Sequence, residues 1–313
     1  MQTLPAPPWT RRRLLRSLGA TVVVAGTGAL GYRVYDTAAL RPGSGDAYDP
    51  WQHWRDEPGL LGAVGAAVLA ASPHNTQPWM FGVRADGVDV FVDAERGTGT
   101  VDPYRREQHI GIGCAIENLV LACRARGLEP TVTLLPDSSR LARVDVRSGR
   151  PTSDVLHDAI GDHIQRHRDG LTLGGQGFGA TKLALAKLLP ASSRADGDQF
   201  WLKQTRTVHT ATATAYGVIT TGTPDDRATQ LDAGRLLERI HLTATSRGIA
   251  LHHMNQITER IDRERSTGAT ATFAPRFAAL LPPGQQPLLT FRVGYPVRHA
   301  APSPRRATTE VLR

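Results

Sequence analysis

Apolar residues along this 313-residue chain fall into runs of two kinds, helical in period and alternating, which together predict a mixed fold. Residues 59–71 (GLLGAVGAAVLAA) are apolar on every face, which predicts a buried helix stopped by Ser72-Pro73. Residues 87–93 (GVDVFVD) alternate as a half-buried strand does. A long helix is predicted over 104–126, ended by Gly127. Strands over 131–135 and 140–146 follow, then a helix over 153–167 and a glycine-rich loop, LGGQGFGA. Beyond it the pattern predicts strands over 199–206 and 214–221, a second long helix over 226–247 that stops at Gly248, and a last strand in LLTFRVGYP (288–296). Residues 41–50 (RPGSGDAYDP) have the composition of a linker.

The two long helices repeat one another. A shift of 121 positions sets Gly113 on Gly234, Ile116 on Leu237, Glu117 on Glu238, Leu121 on Leu242, Arg126 on Arg247, Gly127 on Gly248 and Leu128 on Ile249. Helix-ending grammar is common to all helices and supplies part of this. The glutamate, the arginine and the glycines in one register favour an internal duplication. A duplicated chain mimics a symmetric dimer as a monomer, and its seam is a natural place for a ligand.

The formal charge of +8 would suit a nucleic-acid partner, but its distribution argues against one. Residues 1–41 carry six arginines against Asp36 alone, so little excess is left for the body. Cys114 and Cys123 lie nine positions apart on one predicted helix, roughly 13 Å at about 1.5 Å per residue, too far for a disulfide.

Thr10-Arg-Arg-Arg-Leu-Leu-Arg16 followed by SLGATVVVAGTGALGY has the twin-arginine form of an export signal or anchor over residues 1–40. The same run contains Gly26-x-Gly28-x-x-Gly31, a formal dinucleotide fingerprint. A true fingerprint needs a second strand ending in an acid about 20 residues on, and DAYDPWQHWRDEP offers none. The expected plan is therefore 1–40 signal or anchor, 41–57 linker, 58–150 first half and 151–313 second half. An exported or membrane-anchored location follows if the signal acts, and a cytoplasmic one if it does not.

The most specific segment is Ala71-Ser-Pro-His-Asn-Thr-Gln-Pro-Trp79. Two prolines stiffen it, and Asn75 and Gln77 offer amides suited to the edge of a planar heterocycle. On spacing alone, a structural loop with Trp79 as a core plug is an equal reading. His163 and His167 are placed as two metal ligands could be, but no third ligand is identifiable and a solvated basic face is the better reading. His252 and His253 are neighbours on a strand and face opposite ways. No GxSxG, nucleophilic cysteine or P-loop is present.

Ser72-Pro-His-Asn-Thr-Gln-Pro-Trp-x-Phe81 resembles the loop of the FMN-dependent nitroreductase family. DPYRREQHIGIGCAIENLVLACRARGLEP resembles that family's long interface helix. RGIALHHMNQ (247–256) resembles its segment at the flavin N5 edge, and FRVGYP (291–296) with Pro304-Arg305-Arg306 its closing strand and arginine tail. The overall plan is similar to the two-domain, Acg-type branch.

The resemblance implies an α+β fold of two fused pseudo-symmetric halves, each a sheet flanked by helices, holding one FMN. Ser72, His74, Asn75 and Gln77 would face the isoalloxazine and ribityl, and Met254, Asn255 and Gln256 its N5 edge. Arg305 or Arg306 would bind the phosphate. Arg166 and Arg168 would share that role in a stretch lacking the family's central hydroxyl residue. The implied activity is ping-pong electron transfer from NAD(P)H to a small nitro or quinone-like acceptor, with no catalytic side chain and no metal. The alternatives are an FMN-sequestering protein with little turnover and an envelope scaffold with a vestigial site.

Overall fold

A computed structural model describes residues 45–149, 194–297 and 302–313. The predicted helix 153–167, the glycine-rich loop after it, and the signal region lie outside the described residues.

Two antiparallel sheets and a set of helices make up the described fold. Helix α1 (Asp49–His53) and helix α2 (Gly59–Ala67) lead into strands β1 (Trp79–Arg84) and β2 (Gly87–Val92). The long helix α3 (Arg106–Ala125) follows, then β3 (Leu128–Leu134) and β4 (Ala142–Ser148). These four strands form one sheet in the order β1-β2-β4-β3. Helix α4 (Arg194–Gln204), β5 (Ala215–Thr221), the long helix α5 (Arg227–Ser246), β6 (Ala250–His253), α6 (Gln256–Thr267), α7 (Phe273–Ala278) and β7 (Gln286–Gly294) complete the chain, with a second sheet in the order β5-β7-β6.

Helix α3 is buried almost throughout, because it packs on α2 and the first sheet as well as on α5. Ile112, Ile116 and Leu119 meet a core that includes Val64 and Ala67 of α2 and Trp79, Phe81, Val88 and Val90 of the sheet. Both long helices end at a left-handed glycine, Gly127 at φ 73° and Gly248 at φ 70°, a conformation open to glycine without a Cβ clash. Asp226 caps the start of α5 by accepting from the Thr229 N–H at 2.8 Å.

Helices α3 and α5 meet backbone to backbone. A Cβ on Gly113 would lie 2.1 Å from the Leu231 carbonyl oxygen, and one on Gly234 would lie 1.9 Å from that of Ile110; each would be 2.9 Å from the other glycine's Cα. The polar contacts of this crossing fall at matching positions. His109 Nδ1 lies 2.6 Å from Gln230 Oε1. Glu117 pairs with Arg235 at 2.9 Å and Arg239 at 2.6 Å. Glu238 lies against Cys114 and Asn118.

The tail returns to the first sheet. Phe81 donates its N–H to the Val311 carbonyl at 2.7 Å and accepts from the Arg313 N–H at 2.9 Å, so residues 311–313 run beside the edge strand β1.

Three local expectations differ. Residues 199–206 were expected as a strand and lie in α4 and a π-helical turn, Thr205–His209. The Phe200-Trp201-Leu202 run has strand propensity, but that preference depends on packing, and all three side chains are exposed. The linker expected over 41–57 holds helical turns and α1 from residue 46 on, and Tyr48 and Trp54 belong to the buried core. Helix α6, almost wholly polar, had no apolar period to reveal it.

Replacing Gly113 by Ala should force the helices apart. We expect a loss of about 3 kcal/mol in chemical denaturation, with the slope unchanged and the midpoint lowered.

Candidate functional site

The segment after α2 is shaped by three non-glycine residues in the left-handed region: His74 at φ 47°, Asn75 at φ 56° and Gln77 at φ 52°. Each costs on the order of 1 kcal/mol and persists only where the surroundings enforce it. Local bonds begin that enforcement. Asn75 N–H donates to the Ser72 carbonyl at 3.0 Å, Thr76 N–H to that of Pro73 at 3.0 Å, and Gln77 N–H to the Ser72 hydroxyl at 3.0 Å.

The tail completes it. The Asn75 amide donates to the Pro304 carbonyl at 2.9 Å, and the Gln77 amide reaches the same oxygen at 3.3 Å. In return Arg305 donates to Asn75 Oδ1 at 2.6 Å, and the Arg306 N–H donates to Gln77 Oε1 at 2.7 Å. Arg305 also donates to the carbonyls of Leu69 and Ala70 at 3.1 and 3.3 Å and lies 4.8 Å over the Trp51 ring. Arg306 donates to the carbonyls of Gln77 at 3.3 Å and Glu310 at 2.6 Å. All four side chains are buried. The structure thus brings Asn75, Gln77, Arg305 and Arg306 together, and it joins them chiefly to one another and to neighbouring backbone carbonyls.

Behind this knot lies a polar group on α5 and β6. Glu238 is 3% exposed and Arg305 4%. Burial raises the Glu238 carboxyl pKa to about 7, against the opposing influence of Arg305, the Asn118 amide and the Ala71 N–H. Burial likewise lowers Arg305 to about 10. The rings of His241 and His253 stand 6.3 Å apart, nearly perpendicular. Burial lowers both imidazoles, His253 to about 3, so both are neutral near pH 7. Both side chains are half-buried. Glu238 Oε2, His241 Nδ1 and Arg305 Nε have no hydrogen-bond partner among the described residues.

On the loop's other side, His74 Nε2 lies 3.9 Å from Glu259 Oε1, and its interaction with that carboxylate raises the imidazole pKa. Arg106 pairs with Asp262 at 2.5 Å and with Glu107 at 3.5 Å. Burial, reinforced by the charge of Glu259, lifts Glu107 to about 8, so its carboxyl is protonated at neutral pH. Met254 is tied to β7 through its N–H to the Thr290 carbonyl at 2.9 Å, and Asn255 Oδ1 accepts from the Thr290 N–H at 3.0 Å. Gln256 opens α6 and is exposed. Arg166 and Arg168, with His163 and His167, lie outside the described residues. Among those described, no group of three or more His, Cys, Asp or Glu side chains is placed to hold a metal.

Sequence reasoning singled out Glu238 as a repeat position and missed its place behind the loop near Arg305, and it missed His241 altogether. The available signal was a glutamate on the apolar face of a helix that must pack against its counterpart.

No family model matches the chain. It is similar to two proteins of Mycobacterium tuberculosis strain H37Rv. The one named "Putative NAD(P)H nitroreductase Rv3131" is 29% identical over 119 residues, 37% of this chain and 34% of that protein. The one named "Putative NAD(P)H nitroreductase acg" is 32% identical over 89 residues, 28% of this chain and 27% of that protein. The chain therefore spans about a third or less of the length of the curated relatives it matches.

Two outcomes are expected. Asn75→Ala should cost about 2 kcal/mol of unfolding free energy without any ligand present, because it strips buried Arg305 of an acceptor. Glu107→Gln should stabilise the protein at pH 8 and above. The folded pKa of Glu107, about 8, exceeds the ordinary 4.5, so stability present below pH 4.5 is lost as pH rises toward 8. The gain in melting temperature over the parent should shrink steadily as pH is lowered to 4.5.

Proposed function

We propose that this chain is an NAD(P)H-dependent oxidoreductase of the nitroreductase type, using FMN to reduce a small nitro or quinone-like acceptor. One observation carries the reading. The loop that resembles the family's, Ser72–Trp79, is held in a left-handed geometry by the arginine tail, and relatives over part of the chain carry the name "Putative NAD(P)H nitroreductase".

The described part of the tail does not fit the phosphate of FMN. Arg305 and Arg306 have their terminal N–H groups engaged by protein acceptors, which argues against a free phosphate cradle there. We assign the phosphate to Arg166 and Arg168 and the loop's ligand-facing surface to Ser72 and His74, with Met254, Asn255 and Gln256 near the N5 edge. Asn75 and Gln77 hold the loop in its left-handed geometry, an indirect role.

Bound FMN would accept a hydride from NAD(P)H and pass two electrons to the acceptor in a ping-pong cycle. The chain's own part is to orient and to hold protons. The His74–Glu259 pair holds one at the loop's outer side, and protonated Glu107 holds another in the interior.

We also read the chain as two fused halves that act as one monomer. Helices α3 and α5 are each 20 residues long, and their ends differ by 121 positions at both termini. The contacts Gly113–Gly234 and His109–Gln230 join positions 121 apart. The export reading of residues 1–40 accompanies this proposal; among the described residues no helix is long and apolar enough to cross a membrane.

The test is to mix the purified protein with FMN and NADPH without oxygen and follow absorbance near ~450 nm, where only the oxidised cofactor absorbs. Prompt bleaching supports the enzyme. Tight binding without bleaching identifies a flavin-holding protein instead, and failure to bind FMN removes both readings.

A further inference from the structure

Six of the fourteen large apolar side chains exposed among the described residues fall between positions 200 and 218: Phe200, Trp201, Leu202, Val208, Tyr216 and Val218. Apolar residues exposed singly need no explanation, whereas apolar surface gathered in one place marks a contact site. Here the gathering is held by bonds. Arg292, on the central strand β7, donates to the carbonyls of Val208 at 3.2 Å and His209 at 3.0 Å, and to the Thr212 hydroxyl at 3.2 Å. The Tyr216 hydroxyl donates to the Thr210 carbonyl at 2.6 Å. Ring contacts continue toward the sheet, from Trp201 to His209 at 5.3 Å and from His209 to His252 of β6 at 5.0 Å. The π-helical turn Thr205–His209 is thereby fastened to the second sheet, and the apolar side chains around it are fixed facing outward.

Charge on this surface has one sign. No Asp or Glu occurs from Gln199 to Pro224, nor in β6 or β7. Lys203 and Arg206 are exposed beside the apolar run, and Arg292 adds a third cation. A cavity of about 520 Å³ opens among Gln199, Phe200, Leu202, Lys203, Arg206 and Thr207, so two cations and two apolar side chains share one opening. These features discriminate between occupants. A second copy docking by two-fold symmetry would set this positive surface against itself. An anionic lipid surface offers acyl chains to Phe200, Trp201 and Leu202 and phosphates to Lys203 and Arg206. Trp and Tyr, each with an apolar body and a polar tip, favour the boundary between the two.

We propose that the end of α4, the π-helical turn and β5 form a surface that docks on an anionic lipid bilayer. Phe200, Trp201 and Leu202 enter the acyl boundary, while Lys203 and Arg206 pair with lipid phosphates. The contact is peripheral, and it is independent of the flavin reading and of residues 1–40.

The test mixes the full chain with vesicles brominated on their acyl chains, made of phosphatidylcholine alone or with phosphatidylglycerol, and follows tryptophan fluorescence. The difference between the parent and Trp201→Phe isolates Trp201 among the chain's five tryptophans. On the mixed vesicles bromine should quench that signal. In Lys203→Gln/Arg206→Gln, measured the same way, the lipid needed for half of the quenching should rise by on the order of tenfold or more, the worth of two cations near an anionic surface. All of these positions are exposed, and thermal denaturation checks that each variant folds. Trp201 quenching that is absent, equal on neutral vesicles, or unmoved in the neutralised pair overturns the proposal, whatever residues 1–40 do. A dimer that forms without lipid and dissolves in Leu202→Glu, followed by sedimentation, also overturns it, since the surface then belongs to a second copy.

Discussion

The close approach of α3 and α5 at Gly113 and Gly234 is the contact on which the rest of the described fold depends. No other residue lets two helices touch through their main chains, since any Cβ would sit within about 2 Å of the facing carbonyl. That approach sets His109 beside Gln230 and brings the Arg235–Arg239 turn onto Glu117. It also carries Glu238 and His241 toward the loop that follows α2. The polar group behind that loop inherits its position from a steric fact several residues away.

Around that crossing, polar groups divide into satisfied and unsatisfied sets. Asn75, Gln77, Arg305 and Arg306 exchange hydrogen bonds and hold a strained loop closed. Glu238 Oε2, His241 Nδ1 and Arg305 Nε stay unmet among the described residues. A buried network that is complete rigidifies its surroundings, whereas an incomplete one destabilises unless something else completes it. Arg305 belongs to both sets.

Much of this was legible in the sequence. Both long helices end where their glycines said they would, and the register of 121 read from Gly113 and Gly234 sets the two helix spans. The alternation at 87–93 became β2. What failed had physical causes. Helix α6 carries almost no apolar residues, and the aromatic run at 200–202 lies exposed in a helix, where strand preference has nothing to act on. Tyr48 and Trp54 joined the core from a stretch whose glycines and prolines suggested a connector. At the site, sequence gave the right residues for the loop and tail but not their bonding partners. An amide written in a motif says nothing about whether it serves a ligand or the chain, and that depends on residues more than two hundred positions away.

That separation has a consequence for how the molecule comes to be. Residues 303–306 and 311–313 are synthesised more than two hundred residues after the segment at 69–81 that they pin. Contacts so distant along the chain form slowly, because the long intervening loop must first be closed. The segment at 69–81 therefore waits, unfastened, until residues 303–313 have been made. During that interval its strained turn lacks the bonds that enforce it and its edge strand lacks the tail beside it.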